Sequence, residues 1–258
     1  MALTPFSKSQ LLPQEEKLEI SKQRSDLFIG IPKESSYQER RICLTPDAVN
    51  TLVSEGHRVM IESGAGLSAS YSDQEFSDAG AEITADTKKV FGCPMLLKIS
   101  PLTLEEFQMV NPETIVISAI QLKTRNKDYF EALTKKKITA LAFEYIKDED
   151  GTYPAVKSLS EIAGIASVLI ASELMINNQF GKGLLFGNIT GVPPTEVVIL
   201  GAGTVGEFAA KSALGLGASV KVFDNSITKL RRLQNNLNQR IFTSTIQQKA
   251  LLKALRRC

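Results

Sequence analysis

Glu196-Val-Val-Ile-Leu-Gly-Ala-Gly-Thr-Val-Gly206 is the stretch on which the fold turns. An apolar run, Glu196 to Leu200, feeds straight into glycines at Gly201, Gly203 and Gly206. A helical pattern follows over Glu207–Leu214, then a second strand pattern, Ser219–Phe223, ending at Asp224. Gly201 allows a tight turn, Gly203 lets the backbone approach a pyrophosphate, and Gly206 permits close helix–strand packing. The helix start, with Thr204 and Val205, offers unpaired N–H groups and a positive dipole end to the phosphates. Asp224 stands where a carboxylate accepts hydrogen bonds from an adenosine ribose. Strand, glycines, helix, strand and acid in this order predict a dinucleotide site. The acid should repel a 2′-phosphate and so favour NAD over NADP. Lys229, Arg231 and Arg232 oppose that preference, although both arginines also suit a solvated helix face.

Downstream lie a helix over Ile227–Leu237, a strand over Arg240–Thr245 and a helix over Gln247–Arg257, with Cys258 last. A doubly wound nucleotide domain has two such halves, and only the first is legible here. The sequence therefore reads as stopping before the nicotinamide-side half, and the expectation is that these 258 residues alone turn over no substrate. Upstream, Gly191-Val-Pro-Pro194 is a rigid approach, and Leu159–Leu174 reads as a long helix rich in Ala, Gly and Ser.

Before the polar turn Asp148-Glu-Asp-Gly151, short strands and helices alternate. Strands are expected at Phe28–Ile31, Arg58–Glu62, Met95–Lys98, Thr114–Ile120 and Ile138–Phe143. Helices are expected at Thr45–Glu55, Asp73–Ala79, Leu104–Val110 and Asp128–Lys136. Runs such as Thr114-Ile-Val-Ile-Ser-Ala-Ile120 suit strands buried on both faces, as in a parallel sheet. The predicted class is α/β, with two Rossmann-like domains of mainly parallel strands, the second incomplete. The divisions are an appendage over 1–27, a substrate-side domain over 28–158, a connecting helix and linker over 159–190, and nucleotide-binding residues over 191–258. Within the appendage a short helix over Pro13–Arg24 is expected.

Composition narrows the function classes. Thirty Lys and Arg against 28 Asp and Glu give a net charge of +2, which argues against an electrostatic nucleic-acid binder. Cys43, Cys93 and Cys258 are scattered, which suits a reducing compartment and speaks against a disulfide framework or a zinc site. The single histidine, His57, leaves no histidine-rich metal site, so no metal is expected. The N-terminus lacks a signal-peptide core, and the apolar stretch Ile162–Ala171 is shorter than the ~20 residues a bilayer span takes. A cytoplasmic protein is expected.

Several motifs occur in the order found in the alanine dehydrogenases: Ile31-Pro-Lys-Glu34, Glu39-Arg-Arg-Ile-Cys-Leu-Thr-Pro46, Gly56-His-Arg-Val59, Glu62-Ser-Gly-Ala-Gly66, Leu97-Lys98, Leu159-Ser-Glu-Ile-Ala-Gly164 and Gly191-Val-Pro-Pro194. From Phe28 to Cys258 the chain resembles that family, which shares a fold with the first subunit domain of the proton-translocating nicotinamide nucleotide transhydrogenases. Transhydrogenases carry an Arg-Ala-Gln-Ser-like loop where this chain has Ser160-Glu-Ile-Ala-Gly164, so the dehydrogenase branch is the better match. The resemblance implies reversible, NAD-dependent deamination of L-alanine to pyruvate and ammonium, a cleft between two domains, and a homo-hexamer. A transhydrogenase-type NAD(H) subunit and a non-catalytic NAD-binding relative are the alternatives.

The resemblance also assigns residues. Arg41 matches the arginine that grips the substrate carboxylate, although a surface pair with Glu39 would explain it locally. Lys98 matches the lysine bonded to the substrate's carboxylate or carbonyl oxygen, with a snorkelling side chain as the plain alternative. Ser160 matches a serine on the nicotinamide side of NAD, and a helix N-cap would suit it equally. Lys229 matches a basic residue near the adenosine. One position departs: Gln121 stands where the family has its catalytic histidine. Glutamine orients a water or a carbonyl but cannot titrate. Either Lys98 and a family aspartate beyond this sequence carry the proton traffic, with Gln121 as orienter, or the substrate is not alanine. His57, in a loop before a strand, suits a structural role.

Overall fold

The computed structural model describes residues 26–179 and 181–256. The helix expected over Pro13–Arg24 lies outside them. The chain forms two compact units, the first ending at Leu141 and the second beginning at Ala142.

The first unit alternates β1 (Phe28–Ile31), α1 (Pro46–Ser54), β2 (Arg58–Glu62), α2 (Asp73–Asp78), β3 (Glu82–Thr84), α3 (Thr87–Phe91), β4 (Met95–Leu97), α4 (Glu106–Met109), β5 (Ile115–Ser118) and α5 (Lys127–Lys135), with β6 (Thr139–Ala142) at the boundary. Local chemistry starts the helices. Thr45 Oγ1 accepts the Ala48 N–H with Pro46 in the first turn, Ser72 and Glu75 form a capping box, and Asn126 Oδ1 accepts the Tyr129 N–H. The pair β3 and α3 escaped the sequence reading, because three residues make too short a period to see. Asp86, whose carboxylate caps Lys88 and Lys89, was the available signal.

The sheet runs β3-β2-β1-β4-β5-β6. The pairings β1–β2, β2–β3, β1–β4 and β4–β5 are parallel, with Leu97 opposite Ile117 in the last. Strand order reverses between β1 and β4, and a crevice at the carboxyl ends of such a pair is where doubly wound sheets place ligands. Beneath it, Ile29, Ile31, Val49, Val59, Ile61 and Phe76 form a buried core.

The second unit contains α6 (Pro154–Ile176), β7 (Glu196–Leu200), α7 (Thr204–Gly215), β8 (Ser219–Phe223), α8 (Ile227–Asn236), β9 (Phe242–Ser244) and α9 (Gln248–Leu255). Its three strands are parallel in the order β7-β8-β9. The long helix starts at Pro154, earlier than the expected Leu159, because Pro154 fits its first turn. Residues 154–158, assigned to the first domain by the sequence reading, thus belong to this helix. Ser160 lies inside it, so its N-cap explanation fails: the N-cap is Tyr153. By length and composition α6 is also long and apolar enough to cross a membrane. Its Gly164 nevertheless packs against α7 so tightly that a Cβ would sit 2.5 Å from the Val205 carbonyl oxygen.

Candidate functional site

At the strand reversal, the residues that follow β1 and β4 meet. Glu34 Oε1 accepts the Ile99 N–H at 2.6 Å and Oε2 the Ser100 N–H at 3.3 Å, tying the two strand ends together. Lys98 extends β4 by one residue and is 1% exposed. The snorkelling alternative therefore fails, since the ammonium stays inside the protein. Lys98 Nζ donates to Glu106 Oε1 at 2.8 Å and lies 3.6 Å from Glu34 Oε2. The same Glu106 oxygen accepts from Ser35 Oγ at 3.0 Å, and its Oε2 accepts the Thr103 N–H at 2.9 Å. One ammonium thus sits between two buried carboxylates. Glu34 and Glu106 were missed as site residues; the available signals were the Ile-Pro-Lys-Glu34 motif and the Thr103-x-x-Glu106 capping spacing.

Arg41 is engaged locally, as its plain explanation held. Its Nε and Nη2 donate to the two oxygens of Glu39 at 2.8 and 2.7 Å. That pair holds the Glu39 carboxyl below, and the Arg41 guanidinium above, their ordinary values. The Arg41 side chain is 47% exposed, so the bond is solvated and weak enough to exchange partners. Glu34 also acts on Arg41 electrostatically. Two residues after Arg41, the Cys43 thiol is pushed up to about 12 by burial, with Glu34 adding to the effect and Lys98 and Arg41 opposing it.

Gln121 ends the segment after β5 with φ +54°, in the left-handed region. Its carbonyl oxygen accepts the Thr124 N–H and hydroxyl, each at 2.9 Å. Its side-chain Oε1 accepts from Arg125 Nη2 at 3.1 Å. Nearby in the chain, the buried Ser118 Oγ has no hydrogen-bond partner among the described residues. His57 Nδ1 accepts the Leu27 N–H at 3.3 Å, a structural tie of the kind expected.

In the second unit the glycine turn has the features that a dinucleotide needs. Gly201 adopts φ +110°, a backbone state L side chains rarely take. A Cβ on Gly206 would lie 1.9 Å from the Gly201 carbonyl oxygen, whereas one on Gly203 would meet no atom within 4 Å. The turn is thus closed on its protein side at Gly206 and open at Gly203, which leaves room for a phosphate group to approach the backbone there. Asp224 Oδ2 accepts the Ala202 N–H and Oδ1 the Ser226 N–H, both at 2.7 Å. These two bonds hold its carboxyl below the ordinary value, helped by the charge of Lys229. Ser160, Gly201, Gly203, Thr204, Val205 and Gly206 border one hollow of about 590 Å³, which continues along the open edge of β7. Spacing alone does not bring Ser160, named above from the resemblance, near the turn; α6 packing on α7 does. Lys229 is exposed and serves α8 locally, its N–H donating to the Ser226 cap.

Residues 30–163 match the family described as Alanine dehydrogenase/PNT, N-terminal domain, and residues 167–258 match Alanine dehydrogenase/PNT, C-terminal domain. The chain is 36% identical over 232 residues to the alanine dehydrogenase of Methanococcus maripaludis, covering 90% of this chain and 62% of that one. It is 36% identical over 217 residues to the alanine dehydrogenase of Bacillus subtilis, covering 84% and 57%. Among solved structures, an L-alanine dehydrogenase aligns with a TM-score of 0.83 and 33% identity, covering 90% of this chain and 64% of that one. A transhydrogenase from Sinorhizobium meliloti aligns with a TM-score of 0.70 at 24% identity over 88% of this chain and 66% of that one, a likeness of fold. The chain spans about three fifths of the length of the curated relatives named here.

Proposed function

This chain belongs to the alanine dehydrogenase/PNT family, and from that premise we propose that it works in the NAD-dependent, reversible oxidative deamination of L-alanine to pyruvate and ammonium. The observation that carries the reading is the glycine turn, open at Gly203 and fastened to Asp224, in a chain 36% identical to alanine dehydrogenases. NAD, when bound, accepts the hydride. Gly201, Gly203, Thr204, Val205 and Gly206 would hold its pyrophosphate, Asp224 its adenosine ribose and Ser160 its nicotinamide side. Lys229 adds positive charge near the adenosine.

In the first unit, Arg41 would leave Glu39 to clamp the substrate carboxylate, a geometry its planar fork suits. Lys98, steadied by Glu106 and Glu34, would donate to the substrate's carboxylate or carbonyl oxygen. Gln121 would orient the reacting carbonyl or water without taking a proton. A homo-hexamer in the cytoplasm is part of the same reading. Alanine-dependent NADH formation by the full-length protein is the test; hydride exchange between nicotinamide nucleotides with no alanine turnover would replace this reading with the transhydrogenase one.

A further inference from the structure

A hydroxyl stands at each end of β5, and the protein uses only one of them internally. Just before the strand begins, the buried Thr114 donates its Oγ1 to the Asn111 carbonyl oxygen at 2.9 Å. At the last residue of the strand, Ser118 is 1% exposed and its Oγ has no hydrogen-bond partner among the described residues. A hydroxyl taken out of water without a partner costs about as much as a hydrogen bond left unmade, and buried side-chain oxygens are seldom left so. Packing does not ask for a hydroxyl here either. Val116, two residues earlier on the same face, is buried and wholly apolar, so this face accepts an aliphatic side chain.

The strand ladder identifies the neighbour of Ser118. In the parallel pairing of β4 with β5, Leu96 is opposite Val116 and Leu97 opposite Ile117. The Lys98 N–H then donates to the Ile117 carbonyl oxygen at 3.0 Å, which carries the pairing one residue further. Side chains alternate along a strand, so Lys98 and Ser118 return to the face that Leu96 and Val116 share. Burial agrees, since all four are closed to solvent. Ser118 thus stands beside Lys98 at the carboxyl ends of two adjacent strands, where sheets of this kind place their ligands.

We propose that Ser118 is a substrate-binding residue, its hydroxyl pairing with the polar head of the amino or 2-oxo acid next to the Lys98 ammonium. The proposal rests on the reading of Lys98 as a substrate ligand. A lysine supplies donors only, whereas a hydroxyl both donates and accepts, so Ser118 can serve a carboxylate or carbonyl oxygen as a second donor. A residue kept for a ligand is maintained at some cost to the fold. Removing the hydroxyl should therefore spare the fold and harm substrate binding. A hydroxyl that anchors an ordered water behaves otherwise, because the water and its remaining polar neighbours lose a bond together.

Two variants of the full-length protein test this. Ser118→Ala should melt within about two degrees of the unmodified protein or above it. Its KM for pyruvate should rise about tenfold, the loss of one hydrogen bond to a charged group, with KM for NADH unchanged. Ser118→Cys fills the same space with a weaker hydrogen-bonding group, so it should melt normally and keep the raised KM for pyruvate. An unchanged KM for pyruvate in Ser118→Ala overturns the proposal, whatever the melting temperature. If Ser118→Ala melts several degrees lower and its KM also rises, Ser118→Cys decides. Recovered melting with KM still raised supports the proposal, and any other result overturns it. Should the unmodified protein form no NADH from alanine, the proposed function falls and the role of Ser118 with it. Equal turnover and KM in the unmodified protein and Ser118→Ala removes the role of Ser118 alone.

Discussion

Lys98 and Glu106 stand eight residues apart and form a buried ion pair, Nζ to Oε1 at 2.8 Å, with Lys98 1% exposed. The pair is reinforced on its acid side by Ser35 and Thr103 and on its base side by Glu34. Removing one partner of such a pair leaves a charge without compensation, at a cost of about 3–5 kcal/mol. Glu106→Gln keeps the shape and some hydrogen bonding and leaves Glu34 in place, so its cost should fall at or below the lower end, about 3 kcal/mol. Urea unfolding of the two proteins gives the difference, and a loss under about 0.5 kcal/mol would sink the claim that the pair anchors this part of the sheet.

Arg41 should behave oppositely. Its bond to Glu39 is solvated, so Arg41→Ala is expected to cost less than about 1 kcal/mol of stability. On the proposed function, alanine turnover by the full-length protein should nevertheless fall ~100-fold or more, because a carboxylate clamp acts in the transition state. Calorimetric NAD affinity should hardly move. A comparable drop in NAD binding would assign Arg41 a structural role instead.

Cys43 lies among these charges without sharing their reactivity. With its thiol pushed up to about 12 by burial, the thiolate fraction at pH 8 is about one part in ten thousand. Alkylation of Cys43 by iodoacetamide at pH 8 is expected to be slower than that of an exposed peptide thiol by orders of magnitude. Peptide mapping after a timed reaction reads it out. Rapid labelling at pH 8 in the folded protein would show that the thiol of this half-buried residue is not raised.

The second unit was the more legible part. Glycines, helix start and closing acid occur within one βαβ run, so local spacing sufficed to place them. Ser160 joined them only through the packing of α6 on α7, a long-range fact that spacing does not carry. The first unit hid more. Lys98 was found from its motif, but the partners that bury it, Glu34 and Glu106, come from a different strand end and a different helix. Arg41 looked like a substrate ligand by motif, and its observed contact with Glu39 is local and polar, which a sequence states equally well. The helix start at Pro154 was missed because the apolar pattern becomes dense only after Leu159, while Pro154 itself carried the signal.

The glycines give a paired prediction. A methyl group on Gly206 would sit 1.9 Å from the Gly201 carbonyl oxygen, whereas one on Gly203 would meet nothing within 4 Å. Gly206→Ala should therefore destabilise the fold by several kcal/mol, since backbone must move to admit it. Gly203→Ala should leave the melting temperature within a degree or two and still weaken NAD binding, because the added carbon occupies the space of the pyrophosphate. Equal melting temperatures for both variants would contradict the geometry. Normal NAD affinity in Gly203→Ala would contradict the cradle.

Asp224 couples the turn to pH and, on the proposed function, to cofactor choice. Its carboxylate accepts the Ala202 and Ser226 N–H groups at 2.7 Å each, and these bonds lower its pKa. A group whose folded value is lowered stabilises at pH above its unfolded value, about 3.9, and that stabilisation is lost as pH falls through the folded value. The stability that Asp224 contributes should thus be constant from neutrality down to about pH 4 and be lost progressively below it. Asp224→Asn, which faces one of the two N–H groups with its own NH2, should remove that acid-side component and weaken the turn at all pH. Asp224→Ala should in addition relax discrimination against NADP, because the ribose partner and the charge repelling a 2′-phosphate vanish together. Calorimetric titration of the full-length protein with both cofactors measures the ratio. An NAD-to-NADP preference unchanged in Asp224→Ala would separate this carboxylate from cofactor selection and leave it only the task of holding Ala202 and Ser226.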